Sequence, residues 1–256
     1  MTSLVSTQNL SLSIAGKIFC QDLQLNIEAG QTWAILGPNG VGKTTLLHTL
    51  AGLRQPNHGT VRYGDKPFAQ WHRRERARYA GILLQETELM FPTAVYDVVL
   101  SGCFPHRQQT WRVTHTENDT VLSALQSVGL REFAERDFNS LSGGEKRRVA
   151  FAALLAQNPR VWFLDEPGNH LDLRHHMEVC AITRQRVHKH QGAALLVSHD
   201  VNMAARFCDH CILLFGAGKV LTGKRDEVLH EDNVSELYQW PVKRIAEGAN
   251  ILFAPQ

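Results

Sequence analysis

The chain is expected to fold as α/β, with a mainly parallel sheet, an antiparallel β part at the N-terminus and an inserted helical subdomain. Three features carry that expectation. The continuous apolar run Thr32-Trp33-Ala34-Ile35-Leu36 has the pattern of a strand buried on both faces, and it leads through a glycine-rich loop into helical spacing from Thr44 to Ala51. Two earlier stretches, Leu10 to Ile14 and Leu23 to Ile27, alternate apolar and polar residues as half-exposed strands do. From Tyr96 to Pro159 the pattern turns helical, and strand-like runs return at Val161–Leu164 and Ala193–Ser198.

The remaining elements follow in order. Glu28-Ala29-Gly30-Gln31 reads as the turn into the first buried strand. Within the helical stretch, Val121 to Leu130 runs to a glycine stop at Gly129, and a second helix spans Glu145 to Gln157 before Asn158-Pro159. A polar helix from Leu173 to His190 separates the two returning strands, and the tail from Gly223 onward carries no readable motif. With 256 residues and 43% hydrophobic residues, the chain can bury one full core. The expected division is a core from 1–85 and 160–225, a helical insert over 86–159 and a tail over 226–256.

Bulk properties exclude several classes. A formal charge of +2, from 27 basic and 25 acidic residues, gives no electrostatic reason to expect nucleic acid as a ligand. The basic run from His72 to Arg78 is local and reads as a solvated helix face. The opening Met1-Thr2-Ser3-Leu4 shows no secretory signal, and no apolar run reaches the roughly 18 residues that cross a bilayer. A soluble, cytoplasmic chain is expected, with any membrane work done through a partner. The five cysteines fit reduced thiols, and Cys208-Asp209-His210-Cys211 lacks the second pair a zinc site needs.

The chemistry lies in short motifs. Gly37-Pro38-Asn39-Gly40-Val41-Gly42-Lys43-Thr44 matches a phosphate-binding loop in all eight positions, in the strand–loop–helix context that makes the match meaningful. Its glycines let backbone N–H groups converge on phosphate at a helix N-terminus. Lys43 would reach the β- and γ-phosphates, Thr44 would coordinate Mg²⁺, and Thr45 completes the nucleotide contacts. No second such loop is present, so the chain is one nucleotide-binding unit.

Asp165 ends an apolar strand at the carboxyl edge where ligands of parallel sheets bind, and it is expected to hold the Mg²⁺. Glu166, the next residue, is placed to take a proton from attacking water. His199 follows the strand Leu195-Leu196-Val197-Ser198 and is positioned to hydrogen-bond the γ-phosphate. Leu141-Ser142-Gly143-Gly144-Glu145 opens a helix, with Ser142 as its cap and free N–H groups beside it. That is a second anion site in a chain with one nucleotide, explained economically if Ser142, Gly143 and Gly144 serve the ATP of a second copy in a head-to-tail dimer.

Together these motifs closely resemble the nucleotide-binding subunit of ATP-binding cassette (ABC) transporters over about residues 1 to 225. The resemblance implies a RecA-like P-loop core and an ATPase whose dimer closes on ATP, opens on hydrolysis and drives a membrane permease. It implies that Gln85 contacts Mg²⁺ and water and reports to the permease. It also implies that Asn169-His170-Leu171-Asp172 crosses the dimer interface, with Asp172 in it. The segment Phe91 to Gly102 followed by Cys103-Phe104-Pro105-His106 is similar to importers of iron complexes, haem and cobalamin, with Cys103 where those usually have arginine. The implied setting is the cytoplasmic face of the cell membrane, under a polytopic permease and indirectly a substrate-binding protein.

An ATPase serving a soluble assembly scaffold, as in iron–sulfur cluster biogenesis, shares every hydrolytic motif. An exporter subunit also stays open, because ATP chemistry carries no transport direction. Three departures from the family pattern stand out. No aromatic lies near Ile14 to stack adenine, with Phe19 the nearest substitute; Gly168 replaces the usual Thr or Ser, which would loosen the turn; and Arg147 replaces the common Gln.

Overall fold

The computed structural model describes residues 3–85, 89–107, 112–247 and 250–256, so residues 86–88 and 108–111 of the expected insert lie outside the described residues. The N-terminal part is antiparallel. It comprises β1 (Ser3–Ile14), β2 (Lys17–Leu23), β3 (Asn26–Glu28), and, after β4 (Thr32–Leu36) and α1 (Lys43–Leu50), also β5 (His58–Tyr63) and β6 (Lys66–Pro67). These strands run in the order β2-β1-β5-β6, with β3 also on β1. Next come α2 (Arg73–Tyr79), β7 (Ala80–Leu83) and three helices: α3 (Val95–Ser101), α4 (His115–Ser127) and α5 (Gly143–Gln157). The chain then returns through β8 (Val161–Asp165), α6 (Leu173–His190), β9 (Ala193–Val197), α7 (Val201–Phe207), β10 (His210–Gly216) and β11 (Lys219–Lys224). It finishes with α8 (Arg225–Val228), α9 (Glu231–Tyr238) and a hairpin of β12 (Val242–Glu247) and β13 (Asn250–Pro255).

The central sheet has the order β11-β10-β4-β9-β8-β7. Its strands β10, β4, β9, β8 and β7 are parallel, and β11 closes one edge antiparallel. The alternation of side chains along a strand explains why these strands read as unbroken apolar runs. Ala34, Leu36, Trp162, Leu164, Ala194 and Leu196 join the core under α3, α4 and α5. Trp33, Ile35, Val161, Phe163, Leu195 and Val197 join a second core with Leu46, Leu47 and Leu50 of α1 and with the antiparallel sheet. Each strand therefore has an apolar layer on both sides, and α1 is held between the two sheets.

One expected strand divides in two. The stretch from Leu23 to Ile27 is broken because Leu23 pairs with Leu10 whereas Ile27 pairs with Val5, both on β1. Buried Thr7 bridges the break: its hydroxyl donates to the Leu23 carbonyl at 2.8 Å and accepts from the Leu25 N–H at 2.9 Å. The tail is built into the molecule. Val234, Leu237 and Phe253 are buried in the helical-side core, and the Asn202 amide on α7 exchanges hydrogen bonds with the Phe253 backbone at 2.7 and 3.2 Å.

Candidate functional site

Sheet register brings the motifs to one edge. On the adjacent strands β4, β9 and β8, Ile35 pairs with Val197 and Val197 with Asp165, and on β7 Leu83 pairs with Leu164. The phosphate loop after Leu36, His199, Asp165-Glu166 and Gln85 therefore all leave the sheet at its carboxyl end, within two residues of the ladder. A parallel sheet with helices on both faces exposes its strand ends in this way, and ligands bind there.

Two glycines of the loop are needed for space. A Cβ on Gly37 would stand 2.5 Å from the Leu214 carbonyl, and one on Gly42 would stand 2.5 Å from the Phe19 ring. Lys43 is 5% exposed, and its ammonium donates to the carbonyls of Gly37 at 2.8 Å and Pro38 at 3.1 Å, inside the loop. Burial pulls the Lys43 ammonium below its ordinary range, against the opposing charges of Glu166 and Asp165. Lys17 on β2 donates to the Gly40 carbonyl at 2.7 Å and braces the loop from outside.

The Thr44 hydroxyl donates to Asp165 Oδ1 at 3.0 Å. His48, one turn further along α1, brings Nε2 to 3.3 Å from Asp165 Oδ2, yet among the described residues neither of these buried atoms makes a hydrogen bond. Burial pushes the Asp165 carboxyl up, and the Thr44 hydrogen bond and His48 oppose it. Glu166 adopts φ 46°, a left-handed conformation that L-residues rarely hold and that costs of order 1 kcal/mol.

The turn Ser142-Gly143-Gly144 at the head of α5, the signature turn, makes other contacts. Ser142 caps α5 and exchanges hydrogen bonds with Glu145, the side-chain and backbone pattern of a capping box. Gly143 and Gly144 lie against His170, so a Cβ on Gly144 would meet the His170 carbonyl at 2.9 Å. Among the described residues no side-chain hydrogen bond joins Ser142 to the phosphate loop of its own chain. Asp172 caps α6, accepting from the His175 N–H at 2.9 Å. The side chains of Gln85 and His199 are exposed, and the His199 carbonyl accepts from the Tyr238 hydroxyl at 3.3 Å.

The family model described as ABC transporter matches residues 20–169. The chain belongs to the ABC transporter family. It is 33% identical over 253 residues to the hemin import ATP-binding protein HmuV of Escherichia coli O157:H7, covering 96% of each chain. It is also 33% identical over 240 residues to the iron(3+)-hydroxamate import ATP-binding protein FhuC of Bacillus subtilis (strain 168), covering 93% of this chain and 88% of the other. A solved dimeric ATP-binding cassette bound to ADP and Pi superimposes with TM-score 0.76 at 26% identity, covering 87% of this chain and 99% of that one. The protein is thus an ABC-type ATPase with the cassette fold.

Set against the ABC family, the three departures take on physical meaning. Phe19 is 7% exposed with its ring laid on Gly42, so it floors the phosphate loop rather than offering a face to a base. Gly168 leaves room for a neighbour. The His176 ring fills the space a side chain would take, 2.3 Å from where a Cβ would stand. Arg147 is 5% exposed, and its guanidinium donates to the carbonyls of Leu84, Gln85, Asp165 and Glu166. Burial pulls it down to about 10, against the charges of Asp165 and Glu166.

Arg147 and His48 were absent from the sequence-derived site, though both left a signal. Arg147 falls four, seven and eight residues before the buried Phe151, Leu154 and Leu155, on the inward face of a helix. His48 follows Thr44 by four residues and so shares its helix face. The Lys17 contact left none, because it depends on how the antiparallel sheet lies over the loop.

Proposed function

We propose that this chain is the ATP-hydrolysing, energy-coupling subunit of an importer of haem or another iron complex, working as a pair beneath a membrane permease. The observation that carries the import reading is its near end-to-end match with haem and iron-hydroxamate import ATP-binding proteins. Among the described residues no helix is long and apolar enough to cross a membrane, and the path is assigned to a permease. Attachment at the cytoplasmic face follows, where ATP is available.

The loop N–H groups of Gly37 to Thr45 and the Lys43 ammonium bind the phosphates of ATP. The oxygen donors Thr44 and Asp165, with a carboxylate oxygen on Asp165 that has no hydrogen-bond partner among the described residues, fit a hard divalent cation. Mg²⁺ would be held by these two and by Gln85, and when bound it neutralises charge on the phosphate oxygens. Glu166 accepts the proton of the attacking water, and His199 holds the γ-phosphate. Ser142, Gly143 and Gly144 of a second copy close the site from the other side, with Asp172 at the same interface.

Arg73, Arg74, Leu84, Val98, Phe104 and Ala153 line a groove, and between Leu84 and Phe104 in the sequence Met90 and Phe91 are exposed. It is the surface assigned here to the permease. The test is capture of the tagged chain from detergent-solubilised membranes of its own host, followed by mass spectrometry. Recovery of a polytopic permease encoded with an iron-complex binding protein is expected. Recovery of a soluble scaffold without any membrane protein would replace the import reading with an assembly role.

A further inference from the structure

Arg147 occupies a place where two strands stop pairing. The β7–β8 ladder ends at Leu83 and Leu164, so the carbonyls of residues 84–85 and 165–166 are the first beyond it. Buried backbone carbonyls need partners, and a guanidinium is a planar fork of five N–H donors. One arm of that fork, Nη1, donates to Leu84 and, at 3.0 Å, to Gln85. The other, Nη2, donates to Asp165 and, at 2.8 Å, to Glu166. The guanidinium thus acts as the next rung between strands that have begun to diverge. It is carried by α5, whose N-terminus is the signature turn at Ser142.

This arrangement connects Gln85, Glu166 and the signature turn, which have no direct hydrogen bond to one another among the described residues. It also holds the Glu166 carbonyl while that residue keeps its left-handed φ of 46°. A glutamine in the same place has one amide with two N–H donors and could not serve four carbonyls at once. A lysine offers three donors around a point rather than a flat fork.

We propose that Arg147 is a positioning residue that locks the backbones of Gln85 and Glu166 to the signature helix, so that nucleotide engaged at Ser142 of one copy sets the hydrolytic geometry in that same copy. Its guanidinium donates to backbone carbonyls, and it acts through Glu166 and Gln85. The inference rests on the proposed roles of Glu166 and Ser142.

The test uses the full chain and its Arg147→Met, Arg147→Lys and Arg147→Gln variants. Turnover and its Hill coefficient are measured against ATP concentration, affinity with a fluorescent ATP analogue, and folding by urea denaturation. In Arg147→Met, kcat should fall about 10- to 100-fold, a part of the roughly 10²- to 10⁴-fold that general-base catalysis contributes. Affinity for the analogue should change less than about threefold, and the Hill coefficient should move toward one. Arg147→Lys and Arg147→Gln should fall between native and Arg147→Met, and they carry the test if Arg147→Met does not fold. Turnover within about twofold of native in the folded variants would overturn the proposal, as would parallel loss of affinity and turnover.

Glu166→Gln, alone and combined with Arg147→Met, separates the inference from the reading beneath it. If Glu166→Gln keeps native turnover, the general-base assignment fails, and this inference with it. If Glu166→Gln collapses turnover while the Arg147 variants retain it, only the role of Arg147 fails. The double variant should be no slower than Glu166→Gln alone, because the two residues act in one chain of cause.

Discussion

At the scale of single residues, the site depends on two side chains in unusual settings. Glu166 holds a left-handed backbone at the end of a buried strand, where its carbonyl is tied down by Arg147. Replacing it with glutamine keeps the shape and removes the base. Glu166→Gln should therefore retain ATP binding while turnover falls about 10²- to 10⁴-fold, as measured by phosphate release and equilibrium binding. Gly168 and His176 form a pair in which one residue's missing side chain is the other's seat. Gly168→Thr, which installs a residue usual in the family, should cost about 1–3 kcal/mol by overpacking against the imidazole. Urea denaturation should show the loss, and adding His176→Ala should restore most of it. An undiminished Gly168→Thr would mean that the ring turns away freely.

At the scale of elements, α5 does two jobs, and substitution at its first residues separates them. Ser142 and Glu145 form a capping box, whose loss in Ser142→Ala should cost about 1 kcal/mol of stability. If capping were all that Ser142 did, turnover in the folded variant would stay near native. The expectation is a tenfold or greater loss of ATPase activity alongside that small shift in urea midpoint, because the hydroxyl and the N–H groups beside it serve the partner's nucleotide. A loss of stability alone would reduce Ser142 to a cap. Further along the same helix, Phe151, Leu154 and Leu155 are packed in the helical-side core, so the signature turn is mounted on a rigid base.

At the scale of the whole molecule, the proposed service of the signature turn to a second copy's nucleotide has a kinetic consequence. A site completed by two copies makes turnover per chain depend on chain concentration. A dilution series of the isolated protein at saturating ATP and Mg²⁺ should show activity per chain falling on dilution and reaching a plateau at high concentration. Constant activity per chain over a series in which the protein is monomeric by light scattering would remove the composite site. The tail belongs to this scale as well. Phe253 and the Asn202 amide anchor the last hairpin to α7, two residues beyond the Asp200 that follows His199.

The sequence by itself determined the elements whose pattern is local. The unbroken apolar runs of β4, β8 and β9, the span of α6 and the glycine loop are all legible because side-chain period and backbone freedom leave their mark within a few residues. ABC membership and ATPase chemistry were legible for the same reason, since each motif is contiguous. Tertiary structure alone decided what lies between distant segments. Thr7 dividing a strand, Lys17 bracing Gly40, His176 seated on Gly168 and Arg147 bridging Gln85 and Glu166 are contacts between residues 8 to 62 positions apart. Hydrogen-bond demand at the end of a ladder and the space left by a missing side chain exist only once the chain is folded, so no local pattern records them.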